Sequence, residues 1–274
     1  MNYPYRFRTR LQPEELKERF EETPHEYIIM VGGGSPYGSR VGQGSWTGTV
    51  YYLGYIDLTD GRRVEGKRIF SWTLTDAEFD ERLYAQLFQE GIKYRIRALP
   101  VKKGDGFCVL ELLGTVRKMP YLDGLWKEYL TPVYMHSELF GELELNKRYE
   151  YFSCRFSWLG TDIEVSFNTD EEENEKCLAN LENFCRDCER RDSEIRDYAA
   201  QELTYLANEW RDDDHLDETI TEEDFKRRLK ISSIEMSADG YYTVWFDDDG
   251  MFAGHSIQVC GHDMGAPDYA ELAG

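Results

Sequence analysis

Carboxylates and an imidazole are concentrated near the end of the chain. Asp247, Asp248 and Asp249 follow an apolar segment directly, and His255 comes shortly after them. Carboxylate oxygens and imidazole nitrogens are ligands of divalent cations, and the same groups act as general acids and bases. Asp247, Asp249 and His255 are therefore the candidate catalytic and metal-binding residues. A divalent cation is the cofactor that this pattern suggests, and no other cofactor is evident.

The spacing excludes an EF-hand. Aligning Gly250 with the glycine of that loop puts Trp245 at the first ligand position and Ser256 at the last, where a glutamate is required. Strand alternation puts His255 on the same face as Ile257 and Val259, which predicts a partly buried histidine. A structural hydrogen bond to a neighbouring aspartate and an active site are both open interpretations, because buried polar groups need partners in either case.

The pair Cys185 and Cys188 has the C-x-x-C spacing of a zinc or redox site. Cys177 could add a third ligand. All three lie at helical spacing on one apolar stripe with Leu181, however, and a free cysteine is commonly a small buried hydrophobe. The pattern favours core packing.

A second group of candidates lies in the N-terminal half. Gly32, Gly33 and Gly34 open a glycine-rich loop that runs to Gly44 and could let backbone N–H groups approach an anion. The loop lacks the Walker and dinucleotide-binding spacings, so a plain connection between strands is the alternative. Arg62, Arg63 and Trp72 put cations and an aromatic ring on predicted strands, as in proteins that bind single-stranded nucleic acid.

Charge divides the chain into two halves. Residues 1–137 carry 19 Lys and Arg against 18 Asp and Glu, whereas residues 138–274 carry 13 against 35. The near-neutral half is unlike a basic nucleic-acid module, so nucleic acid is a disfavoured partner. The acidic half should attract a basic protein partner or cations, although solubility alone also explains it. No G-x-S-x-G or H-E-x-x-H motif is present.

The predicted elements give an α+β fold in two domains, 1–138 and 139–274. The first has strands over 26–31, 45–57 and 62–73, a helix that begins with a capping box at Thr75 and ends at Gly91, and strands over 93–99 and 107–117. This is the element order of an OB-type barrel, preceded by a short helix over 13–22 and followed by an irregular connector over 119–139. The second has a hairpin, helices over about 170–190, 192–208 and 221–229, and a three-stranded antiparallel meander over 231–260.

The segments at Ile195–Leu203, Thr221–Leu229 and Asp239–Val259 resemble the bacterial family known as domain of unknown function 2262. The resemblance runs from about Leu145 to the end of the chain. The segments SWTLTDAEF and YRIRALP are similar to an uncharacterised N-terminal companion domain of that family. The resemblance implies two domains and a bacterial cytoplasmic setting, and it supplies no established activity.

Three functional hypotheses follow. The first is a non-enzymatic interaction protein, of the immunity or adaptor kind, whose acidic domain binds a basic protein. The second is a metal-assisted hydrolase or ligand sensor centred on Asp247, Asp249 and His255. The third is an OB-type binder of nucleotides or single strands. With no apolar run long enough to span a bilayer and no secretory signal, the sequence predicts a cytoplasmic protein with reduced cysteines.

Overall fold

The computed structural model describes residues 4–7, 18–41, 45–104, 106–170, 172–210, 219–262 and 265–274. The chain forms two compact units, Met1–Thr131 and Pro132–Gly274. The helix predicted over 13–22 begins outside the described residues.

A closed barrel forms the N-terminal unit. Its strands are β1 (Tyr5–Arg6), β2 (His25–Val31), β3 (Tyr37–Val41), β4 (Ser45–Asp57), β5 (Arg63–Leu74), β6 (Lys93–Pro100) and β7 (Phe107–Thr115). Five of them close in the order β2–β4–β5–β7–β6, and β6 pairs back to β2. The β5–β7 contact is parallel and the other contacts of the ring are antiparallel. The predicted OB-type order and the α+β fold class are confirmed.

Aromatic side chains fill the barrel. Trp72 and Phe88 are almost fully buried, with ring centroids 4.8 Å apart. Gly48 is the register partner of Trp72, and the indole lies across it so closely that a β-carbon there would be 2.3 Å from the ring. A glycine is therefore required at position 48 because the Trp72 ring lies so close to it, and not because of its backbone conformation.

The predicted helix after β5 is instead two short helices, α1 (Asp76–Asp80) and α2 (Tyr84–Leu87). The capping box at Thr75 is present as predicted. Arg82 has a positive φ of 51° and breaks the helix. The chain then delivers Leu87 and Phe88 to the barrel core.

Two segments predicted to be irregular are regular. Within the glycine-rich loop, β3 pairs with β4. Within the connector, α3 (Pro120–Leu130) has Pro120 in its first turn and lays Leu122 and Leu125 on the outside of the barrel against Ile28 and Leu53. The apolar residues of the connector thus serve a helix–sheet contact that local sequence did not reveal.

An eight-stranded sheet forms the C-terminal unit. Its strands are β8 (Tyr134–Ser137), β9 (Gly141–Asn146), β10 (Tyr151–Trp158), β11 (Thr161–Asn168), β12 (Lys230–Met236), β13 (Tyr242–Asp247), β14 (Ser256–Gly261) and β15 (Pro267–Ala273). Each strand pairs with the next along the chain. Only the β11–β12 contact is parallel. The predicted terminal meander exists, and β15 extends it to four strands.

The described part of the crossover from β11 to β12 has three helices, α4 (Asn174–Arg186), α5 (Cys188–Glu209) and α6 (Glu222–Arg228). They cover one face of the sheet, where Val165, Ile234 and Val244 belong to the core. The break between α4 and α5 falls at Asp187, which has φ −110° and ψ 40°. The predicted helix over 170–190 therefore ends earlier, and the next one begins before 192.

Candidate functional site

The second face of the C-terminal sheet has no described helix of this unit across it; we call it the open face. Strand alternation sends Val165 and Phe167 into the core and leaves Ser166 between them on the open face. The register then aligns Ser153, Ser166, Glu235 and Thr243 in one row across β10 to β13. The row has small residues beside a long acidic one, which produces a hollow in the sheet surface.

This hollow, which we call the acidic depression, has a volume of about 320 Å³. Its side chains include two tyrosines, two glutamates and two small hydroxyl residues: Tyr151, Glu164, Ser166, Glu235, Tyr241 and Thr243. The aromatic rings offer stacking surfaces and the glutamates offer negative charge. This combination suits a cation with an extended π system or with several N–H donors.

The two glutamates lie on neighbouring strands. Glu235 is the register partner of Ser166, and Glu164 stands two residues before Ser166 on β11. The indole Nε1 of Trp245 donates a hydrogen bond to Glu235 Oε1 at 3.1 Å, which orients that carboxylate. Glu164 forms no hydrogen bond or ion pair with the described residues. The depression therefore has carboxylate charge that the described part of the chain does not neutralise.

The rings of Tyr151 and Tyr241 are fixed at their phenol ends. Asn146 Nδ2 donates to the Tyr151 hydroxyl at 3.3 Å, and the hydroxyls of Tyr241 and Tyr269 lie 3.0 Å apart. Burial, and then the neighbouring Cys260, raise the pKa of Tyr241 above its ordinary value. Tyr241 therefore stays a neutral phenol at neutral pH, and its ring also packs edge-on against His262, with centroids 4.7 Å apart.

Asp248, within the aspartate cluster predicted from sequence, is a structural residue. Its carboxylate is almost fully buried and accepts N–H groups from Gly250 at 3.1 Å, Phe252 at 2.7 Å and Gly254 at 3.0 Å. Burial by itself would raise the pKa of Asp248, but these donors outweigh it and hold the pKa below its ordinary value. The residue closes the loop between β13 and β14.

Two of the candidate metal ligands, Asp249 and His255, have protein partners. Arg228 Nε lies 3.3 Å from Asp249 Oδ2, and Lys230 also contacts this carboxylate. His255 Nδ1 lies 2.7 Å from the carbonyl oxygen of Phe252, which assigns the proton to Nδ1. His255 precedes β14 rather than lying in it. Within the described residues, no group of three or more His, Cys, Asp or Glu is arranged to hold a metal ion.

No hydrogen bond or ion pair among the described residues joins Asp247 or Asp249 to His255. Asp247 is exposed at the end of β13, where its register partners are Lys230 and Ser256. The ring of His255 packs edge-on against Trp210, with centroids 5.2 Å apart. The described contacts of Asp249 and His255 are ion pairing and packing around one hairpin, and a catalytic or metal-binding role for the three residues stays a prediction.

The N-terminal candidates are also spread over different environments. Gly33 N donates to Glu90 Oε1 at 3.1 Å, and Gly32 N donates to the Tyr51 carbonyl at 3.2 Å, so these two amides already have acceptors. Gly34 is buried. Trp72, expected at a binding surface, is a core residue.

The two arginines at the start of the β5 segment lie near tyrosines. Arg62 donates to the Tyr55 hydroxyl at 2.9 Å, and the Arg63 guanidinium lies 5.3 Å from the centroid of the Tyr121 ring. The arginines and the glycines do not form one site with Trp72.

The cysteine pair belongs to the core. Cys185 is buried with Leu181, and Cys188 packs against the same cluster. Burial raises the pKa of the Cys185 thiol, and the nearby Cys188 and Cys154 raise it further. All six cysteines are free thiols.

Sequence reasoning missed the acidic depression. Its residues come from four strands separated by as many as 92 positions, from Tyr151 to Thr243. A signal was present in the alternation of β11, where a serine stands between two apolar residues. Alternation shows that Ser166 faces away from the core, but only the register reveals that Glu235 is its neighbour.

Comparisons with known proteins place both units in uncharacterised families. Residues 137–272 match the family model DUF2262, described as an uncharacterized protein conserved in bacteria. This match covers nearly the whole C-terminal unit and about half of the chain. Residues 12–129 match DUF7021, a domain of unknown function, so an uncharacterised domain precedes the DUF2262 unit as the sequence indicated.

No curated protein matches the chain. Among solved structures, the chain is similar to a deletion mutant of the single-stranded DNA-binding protein from Thermus aquaticus, at 11% identity and a TM-score of 0.23. The match covers 53% of this chain and 75% of that one. So low a TM-score supports no argument about function. Among the described helices, none combines the length and apolar character needed to cross a bilayer.

Proposed function

We propose that the C-terminal unit is a non-enzymatic binding module whose open face docks a basic protein. The observation that carries this proposal is the acidic depression. It combines aromatic rings and unneutralised carboxylates on a sheet face that no described helix of the unit covers. Binding faces are typically marked by aromatic residues, and complementary charge steers a partner toward them.

The charge of the whole unit supports the same partner. The half of the chain from residue 138 onward has 22 more acidic than basic residues. A strongly negative surface accelerates association with cations and repels nucleic acid and anionic lipid. A basic protein is the partner that this charge and the aromatic depression fit together.

A salt titration with a defined probe tests the proposal. The full chain is mixed with a short peptide rich in lysine and arginine, and the dissociation constant is measured at rising ionic strength. We expect the affinity for the peptide to fall steeply as salt rises. The double variant Glu164→Gln, Glu235→Gln should raise the dissociation constant by about tenfold.

The matched control is Glu202→Gln, which removes one charge from the exposed side of α5 on the helix-covered side of the sheet. Its effect should be less than about twofold, because exposed charges beyond a screening length contribute little. Equal losses from the control and from each open-face glutamate would mean that net charge, and not the open face, binds the peptide.

We infer a second candidate function from the barrel of the N-terminal unit, that of binding nucleotides or single-stranded nucleic acid. The outer surfaces of β4 and β5 have Tyr51 opposite Ile69, which is 46% exposed. Lys67 Nζ lies 5.0 Å from the centroid of the Tyr51 ring. Aromatic and cationic side chains on this sheet face are the features by which OB barrels bind single strands.

Fluorescence anisotropy with short labelled oligonucleotides at low salt tests this second function. Binding that Tyr51→Ala weakens, and that Lys127→Gln on the exposed side of α3 leaves unchanged, would support it. A flat titration would eliminate it.

A further inference from the structure

The floor of the acidic depression has a hydroxyl group that a ligand can reach. Ser166 is only 8% exposed and lines the depression. Its side chain forms no hydrogen bond with the described residues. The hydroxyl opens onto the depression, so a ligand bound there can donate to its oxygen or accept its proton.

The two tyrosines at the sides of the depression limit the kind of ligand that can bind there. The Tyr151 and Tyr241 rings are held by Asn146 and Tyr269, so they are pre-organised faces for stacking. A tyrosine ring attracts a cation placed over its face.

The carboxylates add the charge that the ligand must carry. Glu235 is oriented by Trp245, and Glu164 has no cationic partner among the described residues. Arg155 is the register partner of Glu164, yet its guanidinium contacts Asp162. Two like charges on adjacent strands destabilise each other until a cation lies between them.

We propose that the acidic depression is an anchoring pocket for a single arginine side chain of the basic partner. This inference rests on the proposed function and names the group that the open face recognises. A guanidinium is planar, stacks on aromatic rings and presents five N–H donors, which suits two tyrosine faces, two carboxylates and one serine oxygen. A lysine ammonium is a compact, strongly hydrated point charge and cannot use the stacking surfaces in the same way.

A pair of matched peptides distinguishes recognition of arginine by the pocket from general attraction of positive charge to the acidic surface. The two peptides have the same length and charge, and differ only in one central residue, arginine or lysine, with glycine and lysine elsewhere. Dissociation constants are measured with the full chain by calorimetry. We expect the arginine peptide to bind about tenfold more tightly, because it gains charge-assisted hydrogen bonds and stacking.

Substitutions of Ser166 and Tyr151 test whether these side chains contact the arginine. Ser166→Ala should reduce the preference for arginine by several-fold and leave the lysine peptide unchanged. Tyr151→Phe keeps the ring but loses the bond from Asn146, so it should keep much of the preference, whereas Tyr151→Leu should abolish most of it. The melting temperature of each variant checks that the fold is retained, and chemical-shift changes of the Ser166 amide on adding arginine amide give a second measurement in the parent protein.

The outcomes separate the two proposals. Equal, salt-sensitive affinity for both peptides would overturn the arginine pocket and leave the basic-partner function standing. Tighter binding of the lysine peptide would overturn it as well and would assign an ammonium group to the site. Binding of neither peptide at low salt would overturn both proposals.

Discussion

The Arg155 guanidinium contacts the Asp162 carboxylate, with Nη2 at 2.9 Å and Nε at 3.0 Å from Oδ2. Its register partner across β10 and β11 is a different acid, Glu164. The diagonal contact therefore holds the one nearby arginine away from the depression and leaves Glu164 available to a ligand. A surface pair of this kind contributes little to stability, so its consequence lies in which carboxylate it occupies.

Releasing Arg155 should weaken binding of the basic peptide. In Asp162→Asn the guanidinium loses its carboxylate partner and keeps only the bond from Nη2 to the Asp162 backbone carbonyl, at 2.6 Å. It can then turn toward Glu164, which would neutralise one side of the depression. We expect the dissociation constant to rise by about two- to fivefold. Glu202→Gln makes the same change in net charge far from the open face and should have less effect. Calorimetry at fixed salt compares the two, and equal effects would contradict the local explanation.

Replacing Gly48 tests the packing of the barrel. In Gly48→Ala the new β-carbon would stand 2.3 Å from the Trp72 ring, so the indole or the strand must move. We expect a loss of about 1–3 kcal/mol in the free energy of unfolding of the N-terminal unit. Chemical denaturation followed by tryptophan fluorescence measures it.

Gly124 serves as the control, because an alanine there should stabilise the protein instead of destabilising it. It is exposed in the middle of α3, and nothing lies within 4 Å of an added β-carbon. Gly124→Ala should raise the free energy of unfolding by about 0.5–1 kcal/mol, because alanine loses less backbone entropy in a helix. A barrel equally tolerant of both alanines would show that the Trp72–Gly48 contact is not tight.

Asp248 should be the aspartate of its cluster that matters for stability. Asp248→Asn replaces one acceptor oxygen by an NH₂ group that faces backbone donors, so we expect a loss of about 1–3 kcal/mol in the free energy of unfolding. Asp247→Asn at the adjacent exposed position should change it by less than about 0.5 kcal/mol. Urea denaturation of both variants makes the comparison.

The effect of Asp248 should depend on pH. Its pKa in the folded protein is lowered, whereas in the unfolded chain it is about 3.9. Its contribution to stability is therefore fully present above the unfolded value and is lost as the pH falls through the folded value. The deficit of Asp248→Asn should be constant near neutral pH and shrink in acid below about pH 4. A loss of stability in Asp248→Asn that grows as the pH falls would contradict this prediction.

Thiol labelling should follow burial. Cys188 and Cys154 are the two partly exposed cysteines, and the other four are buried. Burial, and then the charge of Glu164, raise the pKa of Cys154 to about 11, so little thiolate forms there at neutral pH. We expect iodoacetamide to modify Cys188 first and Cys154 slowly, and to modify Cys108 and Cys185 only after unfolding. Mass spectrometry of digests gives the order, and early labelling of Cys185 would contradict its place in the core.

Sequence alone was sufficient for the elements with strong local signals. The capping box at Thr75 predicted a helix start, and the order of the elements predicted the barrel. It failed for α3, because the apolar residues of that segment become helical by packing Leu122 on the barrel. It also failed for the single helix after β5, since the turn at Arg82 serves the burial of Phe88.

For the site, the sequence by itself determined the excess of acidic residues, the family of the C-terminal unit and the alternation that turns Ser166 away from the core. Only the tertiary structure decided which acids act together. Asp247, Asp249 and His255 are close in sequence. Asp249, however, pairs with cationic side chains, and His255 is hydrogen-bonded to a backbone carbonyl. Glu164 and Glu235 are 71 positions apart, and the parallel register of β11 and β12 makes them neighbours. Strand register is set by burial of the opposite face, so no local pattern around either glutamate could have revealed the pair.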